Sequence, residues 1–175
     1  SYFGQIVVQT FPLIGNYGMI PSDFESKKPQ LKAYIVRDWC QEPSNFRSEG
    51  DLDTFLKQQG IPGIYGIDTR RLTRVVRESG VMNAKIILDK FSQDMLPAVL
   101  EEIRSYQVRD AVVSVSPKQE ECFHPQGAAQ HHVVLWDFGA KDNIRRELVK
   151  RGCQVTVVPS STSCQRILEL APDGV

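Results

Sequence analysis

The chain has 175 residues, 41% of them hydrophobic and 24% charged, an ordinary globular mix with room for one domain and part of a second. Its 21 Lys and Arg balance 21 Asp and Glu, so no global field draws it toward nucleic acid or anionic lipid. No apolar run approaches the roughly 20 residues needed to cross a bilayer, and no charged-then-apolar signal segment opens the chain; Cys40, Cys122, Cys153 and Cys164 form no C-x-x-C pair and read as free thiols of a cytoplasmic protein without a metal site.

Gln5 to Thr10 is rich in β-branched residues and predicts a strand, broken by Pro12, Gly15, Asn16 and Gly18. Residues 19–32, with Pro21, Lys27, Lys28 and Pro29, read as a long surface loop, and Ala33 to Asp38 as a second strand. Ser48 to Gln59 predicts a helix, with Leu52, Phe55 and Leu56 on one face and Gly60 as the stop. Gly63 to Ile67 reads as a short buried strand running into Asp68, whose carboxylate suits a helix N-cap. The following helix carries Leu72, Val75 and Val76 as its apolar stripe and ends at Gly80. Ala84 to Leu88 predicts a strand, Ser92 to Tyr106 contains a helix with Pro97 near its first turn, and Ala111 to Ser116 alternates as a strand does. Residues 117–131 hold Pro117, Lys118, Gln119, Glu120, Glu121, Pro125 and Gly127, and read as a linker.

Beyond the linker the pattern becomes regular. Val133 to Asp137 predicts a strand, Lys141 to Arg151 a helix, Gln154 to Val158 a strand and Ser161 to Leu170 a helix. Strand–helix–strand–helix with short loops implies a parallel sheet with right-handed crossovers. A third strand is expected to begin near Gly174, because two parallel strands alone are not a stable sheet.

The chemistry-bearing residues are sparse. His124, His131 and His132 lie in or beside the linker and read as solvent-exposed, since a catalytic or metal-bound His needs rigid placement and an orienting partner. No cysteine has the small neighbours and strand–helix turn of a nucleophile, and Cys153 reads as core. Asp137-Phe138-Gly139 matches the kinase metal-binding tripeptide in spelling only. Physically it ends a parallel strand before a helix N-terminus, a geometry that serves either an anionic ligand or a structural turn. Arg70, Arg74 and Arg77 share one helix face, opposite Leu72, Val75 and Val76, which leaves a solvated face or a protein–protein contact open. Nucleic acid is disfavoured, because no aromatic residues interleave with the arginines.

Several segments carry a more specific signal: Ser1-Tyr2; Gln5 to Gly18, with Phe11-Pro12-Leu13-Ile14-Gly15-Asn16; Ser44-Asn45-Phe46-Arg47; Gly66-Ile67-Asp68-Thr69-Arg70-Arg71-Leu72-Thr73-Arg74; and Asp137-Phe138-Gly139-Ala140-Lys141-Asp142-Asn143 with Val155-Thr156-Val157-Val158-Pro159. In this order they resemble the small, glutamine-hydrolysing subunit of carbamoyl-phosphate synthetase, truncated at both ends. The resemblance implies an α/β protein. Residues 1–116 would be that subunit's amino-terminal β/β/α domain, incomplete at its start. Residues 117–131 would be a linker, and residues 132–175 the first βαβα portion of a class I glutamine amidotransferase parallel sheet.

In the family, a Cys–His–Glu triad hydrolyses glutamine through a glutamyl-thioester. The ammonia passes to a large subunit, which uses ATP and Mg with bicarbonate to make carbamoyl phosphate for arginine and pyrimidine synthesis. Ser1, matched to the end of a Pro-Ser-Tyr segment, is implied to help bind glutamine. The nucleophile motif Gly-x-Cys-x-Gly does not occur among these residues, so the chain alone is expected to be inactive. Its expected partners are the large subunit and glutamine, with no nucleic acid and no membrane. A second reading is a non-catalytic scaffolding module that docks on the large subunit, with Arg70, Arg74 and Arg77 as the candidate interface.

Overall fold

The protein is described by a computed structural model covering residues 2–175, so the Ser1 assignment falls outside the described residues. Two compact units are present, one built from residues 2–20 and 31–109 and the other from residues 21–30 and 110–175.

The first unit centres on a three-stranded parallel sheet of β1 (Ile6–Val8), β3 (Ala33–Ile35) and β5 (Gly63–Ile64), with β3 in the middle. The β-branched runs foreseen at 5–10 and 33–38 supply its first two strands. A separate parallel pair joins β2 (Leu13–Ile14) to β4 (Asp38–Trp39), so the loop after β1 is itself paired. Helix α1 (Leu52–Gln58) starts at Asp51, whose carboxylate accepts the Thr54 N–H at 2.8 Å, and the chain leaves it through Gly60 at φ +65°. Helix α2 (Thr69–Ser79) begins at the expected cap, with Asp68 accepting the Arg71 N–H at 3.0 Å, and ends at Gly80 with φ +78°. A 3-10 turn at Gln93–Met95 leads into α3 (Leu96–Ser105). Ala33, Ile35, Val36, Ile61 and Val99 are the buried apolar residues of this unit.

One expected strand is absent here. Ala84 to Leu88 joins no ladder. Its flank is held instead by side chains: the Asn83 amide donates to the carbonyls of Ile103 and Tyr106, both at 2.9 Å, and Lys85 pairs with Glu102. Strand composition alone does not pair a segment: Ala84, Lys85 and Ile86 line a cavity with Ile6 of the edge strand β1 but form no ladder with it.

The second unit contains α4 (Ala111–Val115), β6 (Glu121–Phe123), β7 (His131–Asp137), α5 (Asp142–Lys150), β8 (Cys153–Pro159) and α6 (Cys164–Glu169). Strands β7 and β8 pair in parallel along their whole length, Val133 opposite Val155 and Leu135 opposite Val157, as the strand–helix repeat requires. Cys153, Val155 and Val157 pack with Leu148 and Val149 of α5 on one sheet face, while Val134 and Val158 pack with Ile167 of α6 on the other. Helices therefore cover both faces, the arrangement of a doubly wound α/β sheet. Val133 also bridges in parallel to Gly174 on the free side of β7, with the Val134 N–H donating to the Gly174 carbonyl at 2.9 Å. The third strand position foreseen at Gly174 is thus already aligned with β7.

Two expectations are corrected in this unit. Ala111 to Ser116 is helical, not a strand: the Ser114 and Ser116 amides donate to the Asp110 and Val112 carbonyls at 2.9 Å. Those local bonds satisfy the backbone within the segment, and they outweigh the β-preference of its valines. The 117–131 stretch is not wholly a linker either. Glu121-Cys122-Phe123 pairs antiparallel with β8, because the second edge of that strand needs hydrogen-bond partners and Phe123 brings an apolar ring to the core.

Candidate functional site

In the second unit, the carboxyl end of β7 opens into a cleft of about 570 Å³. Phe123, Leu135 and Val157 form its sheet-side wall, and Lys118, Lys141 and Arg145 stand among its charged residues. The turn at this end is tightly built. One carboxylate oxygen of Asp137 accepts the N–H groups of Gly139 at 2.6 Å and Ala140 at 2.7 Å. Gly139 has φ +112°, and a Cβ there would sit 3.0 Å from Val115 Cγ2, so both conformation and space call for glycine.

The helix that follows has free amides suited to an anion, but the chain supplies its own. The Asp142 N–H donates to the Glu25 carbonyl and the Asn143 N–H to the Glu25 carboxylate, both at 2.9 Å. Arg146 donates to the Phe24 carbonyl at 2.9 Å, and Lys27 pairs with Glu121 at 2.6 Å. The segment read as a plain surface loop therefore straps the start of α5. Of the two readings of Asp137-Phe138-Gly139, the geometry favours the structural turn, since the nearby helix N-terminus already holds a carboxylate. Arg145 lies over the Phe123 ring, 3.9 Å from its centroid, which fixes the guanidinium at the cleft wall.

The thiols and imidazoles divide by environment. Cys153 is buried in the core, as its apolar setting suggests, whereas Cys122 and Cys164 are exposed. Cys122 Sγ lies 3.6 Å from His124 Nε2 and receives a hydrogen bond from the Thr156 hydroxyl at 3.8 Å. Its partner imidazole has no orienting group on its second nitrogen among the described residues, so the pair lacks the third member of a nucleophilic triad. His131 and His132 are not linker residues: both belong to β7. His132 Nε2 is 2.8 Å from the Thr156 hydroxyl, and His131 Nδ1 is 3.9 Å from the Asp173 carboxylate. Among the described residues, no group of three or more His, Cys, Asp or Glu side chains is placed to hold a metal ion. None of the described helices is long and apolar enough to cross a membrane.

In the first unit, Arg70, Arg74 and Arg77 are exposed along α2, but so are Val75 and Val76 of the expected apolar stripe, and Thr69 is the helix's one buried residue. No carboxylate lies within ion-pair distance of any of these arginines among the described residues. Asp68 at the head of this helix has its pKa held down, first by the Arg71 N–H bond and further by the charge of Arg37. Next to it, Thr69 is 1% exposed, and its hydroxyl finds no hydrogen-bond partner among the described residues.

Sequence reasoning missed Glu25, Arg146 and the Cys122–His124 contact. Glu25 precedes its hydrogen-bonded amide by 118 positions, and no local periodicity reports such a pairing. Arg146 is visible as a helical cation but not as a donor to a distant carbonyl.

Comparison with known proteins adds a separate line of support. The family model described as carbamoyl-phosphate synthase small chain, CPSase domain, matches residues 1–86. The carbamoyl phosphate synthase small chain of Clostridium perfringens is 45% identical over 175 residues, covering 100% of this chain and 48% of that protein. That of Fusobacterium nucleatum is 47% identical over the same span and coverage, and that of Bacillus anthracis 44% identical with 46% of its length covered. The chain spans about half the length of the curated relatives it matches. With identity running through both structural units, the chain is similar along its whole length to carbamoyl-phosphate synthase small chains.

Proposed function

We propose that these residues form part of a glutamine-hydrolysing small chain, whose intact form releases ammonia from glutamine for carbamoyl phosphate synthesis on a large chain. The observation that carries this reading is the 45–47% identity to curated small chains across the whole of this chain, second unit included. In this reading residues 1–116 contribute the amino-terminal domain, and the strand–helix repeat from His132 opens a glutamine amidotransferase sheet. The parallel β7–β8 pair, helices on both faces and the Gly174 bridge beside β7 support that placement.

The catalytic thiol is none of the four cysteines here. Cys153 is buried in the core, and Cys122 sits on a short antiparallel strand beside an unoriented His124. Cys164 opens α6 and Cys40 donates to the Glu42 carbonyl, neither beside an imidazole. The nucleophile, its His and Glu, and most of the glutamine pocket then belong to the rest of the small chain. Ser1 contributes to that pocket in the intact protein. ATP and Mg act on the large chain, where this reading places the synthetase chemistry.

The reading is tested by assaying the intact protein, with its large chain, for glutamine-dependent carbamoyl phosphate formation. Release of glutamate and ammonia from glutamine is expected. An intact protein that forms carbamoyl phosphate from free ammonia and leaves glutamine untouched would instead support the non-catalytic scaffolding reading.

A further inference from the structure

Helix α2 departs from the other charged helices of this protein. In α1, Lys57 pairs with Asp53; in α5, Arg145 and Arg146 approach Asp142, and Lys150 and the C-cap Arg151 approach Glu147; in α6, Arg166 pairs with Glu120 and Glu169. Helix α2 carries four arginines, no lysine and one acid, Glu78, which reaches none of them. Arg70, Arg74 and Arg77 recur at intervals of four and three, so their guanidinium groups stand in one row. Like charges at these spacings repel and disfavour the helix, a cost that the other helices avoid with carboxylates of their own.

The row is exposed, and the helix ends next to it are fixed by Asp68 and Gly80, so the charges are presented on a rigid element. Arg sheds its hydration more easily than Lys and binds carboxylates through two parallel hydrogen bonds, which suits it to an interface that loses water. With the chain at zero net charge, the row is a local feature and not the overflow of a basic protein.

We propose that Arg70, Arg74 and Arg77 dock a carboxylate-rich protein surface, which, resting on the small-chain reading, is a surface of the large chain. The row supplies electrostatic complementarity: three guanidinium groups in line recognise an acidic stripe of matching length, and the repulsion within α2 is relieved when the two meet. Nucleic acid is the lesser fit, because no aromatic side chains interleave with the row to stack on bases.

The test uses the intact small chain and its isolated large chain. Dissociation constants are measured by surface plasmon resonance across a salt series for wild type, R70Q/R74Q/R77Q and R70K/R74K/R77K, with glutamine hydrolysis by each small chain as a parallel readout. The Gln variant is expected to weaken binding by about tenfold or more and to flatten its salt dependence, while the Lys variant stays closer to wild type. Glutamine hydrolysis by the isolated small chain is expected to be equal in all three, which also shows that each is folded. A Gln variant with wild-type affinity and salt dependence overturns the proposal and leaves the small-chain reading standing. So does a wild-type chain that hydrolyses glutamine but does not bind the large chain. An oligonucleotide that binds wild type and loses binding in the Gln variant, with large-chain affinity unchanged, overturns it in favour of nucleic acid. A protein that neither hydrolyses glutamine nor binds the large chain brings down both.

Discussion

Asp51 shows how much one side chain does at a helix start. It accepts both the Thr54 N–H and the Thr54 hydroxyl at 2.8 Å, and the N–H bond is the main cause of its depressed pKa. Replacing it with Ala removes a cap and is expected to cost about 1 kcal/mol in urea unfolding, with Asn recovering most of that. The pH dependence has a definite sign: a carboxylate with a lowered folded pKa stabilises fully above the unfolded value near ~3.9, and the contribution is lost as pH falls through the lower folded value. The D51A variant should therefore differ from wild type at neutral pH and converge with it in strong acid. The thiols give a second residue-scale expectation. Brief iodoacetamide treatment of the folded chain, read by mass spectrometry, should label Cys122 and Cys164 before Cys153, because only the last is buried. Equal labelling of all three would mean that the β8 core is open.

Where an element's neighbours are close in sequence, it could be read in advance. The β7–α5–β8–α6 repeat was legible because each strand's apolar run, each glycine turn and each helical stripe is local, and the sheet face that buries Val155 also accepts Leu148 of α5. Val155 and Val158 are both 0% exposed, so Val155→Ala is expected to destabilise by about 2 kcal/mol through lost burial and an unfilled cavity. The misreadings share a different origin. Ala84 to Leu88 and Ala111 to Ser116 have strand composition, but strand formation depends on a partner edge that composition does not encode. Glu121-Cys122-Phe123 shows the converse, a polar stretch recruited as a strand because β8 offers an edge. The Glu25 strap belongs to the same class of long-range pairing. Glu25→Ala removes the acceptor of the Asn143 amide, and hydrogen exchange at that amide is expected to speed up while the β8 amides keep their protection. Unchanged exchange at Asn143 would argue against the strap.

For the molecule as a whole, zero net charge conceals an uneven distribution, with the cations of α5 paired and those of α2 without an ion-pair partner among the described residues. The chain order of the units is also uneven, since residues 21–30 leave the first unit to pack in the second and then return. The likeness to small chains was legible from segments such as Gly66 to Arg74 and Asp137 to Asn143, whereas the candidate site was legible only as a turn and a charged face. The roles of Glu25 and Ser116 depend on contacts across the fold; Ser116, for one, donates to the Asp137 carbonyl at 2.9 Å and accepts the Ser160 N–H at 2.8 Å. In the proposed reading, the thiol that releases ammonia from glutamine is none of Cys40, Cys122, Cys153 and Cys164. The most direct test replaces Cys40, Cys122 and Cys164 with Ser, and Cys153 with Ala, in the intact protein, then compares glutamine-dependent with ammonia-dependent carbamoyl phosphate synthesis. The ratio of the two rates is predicted to match wild type; selective loss of the glutamine-dependent rate, with the ammonia-dependent rate intact, would place the reactive thiol among these four cysteines.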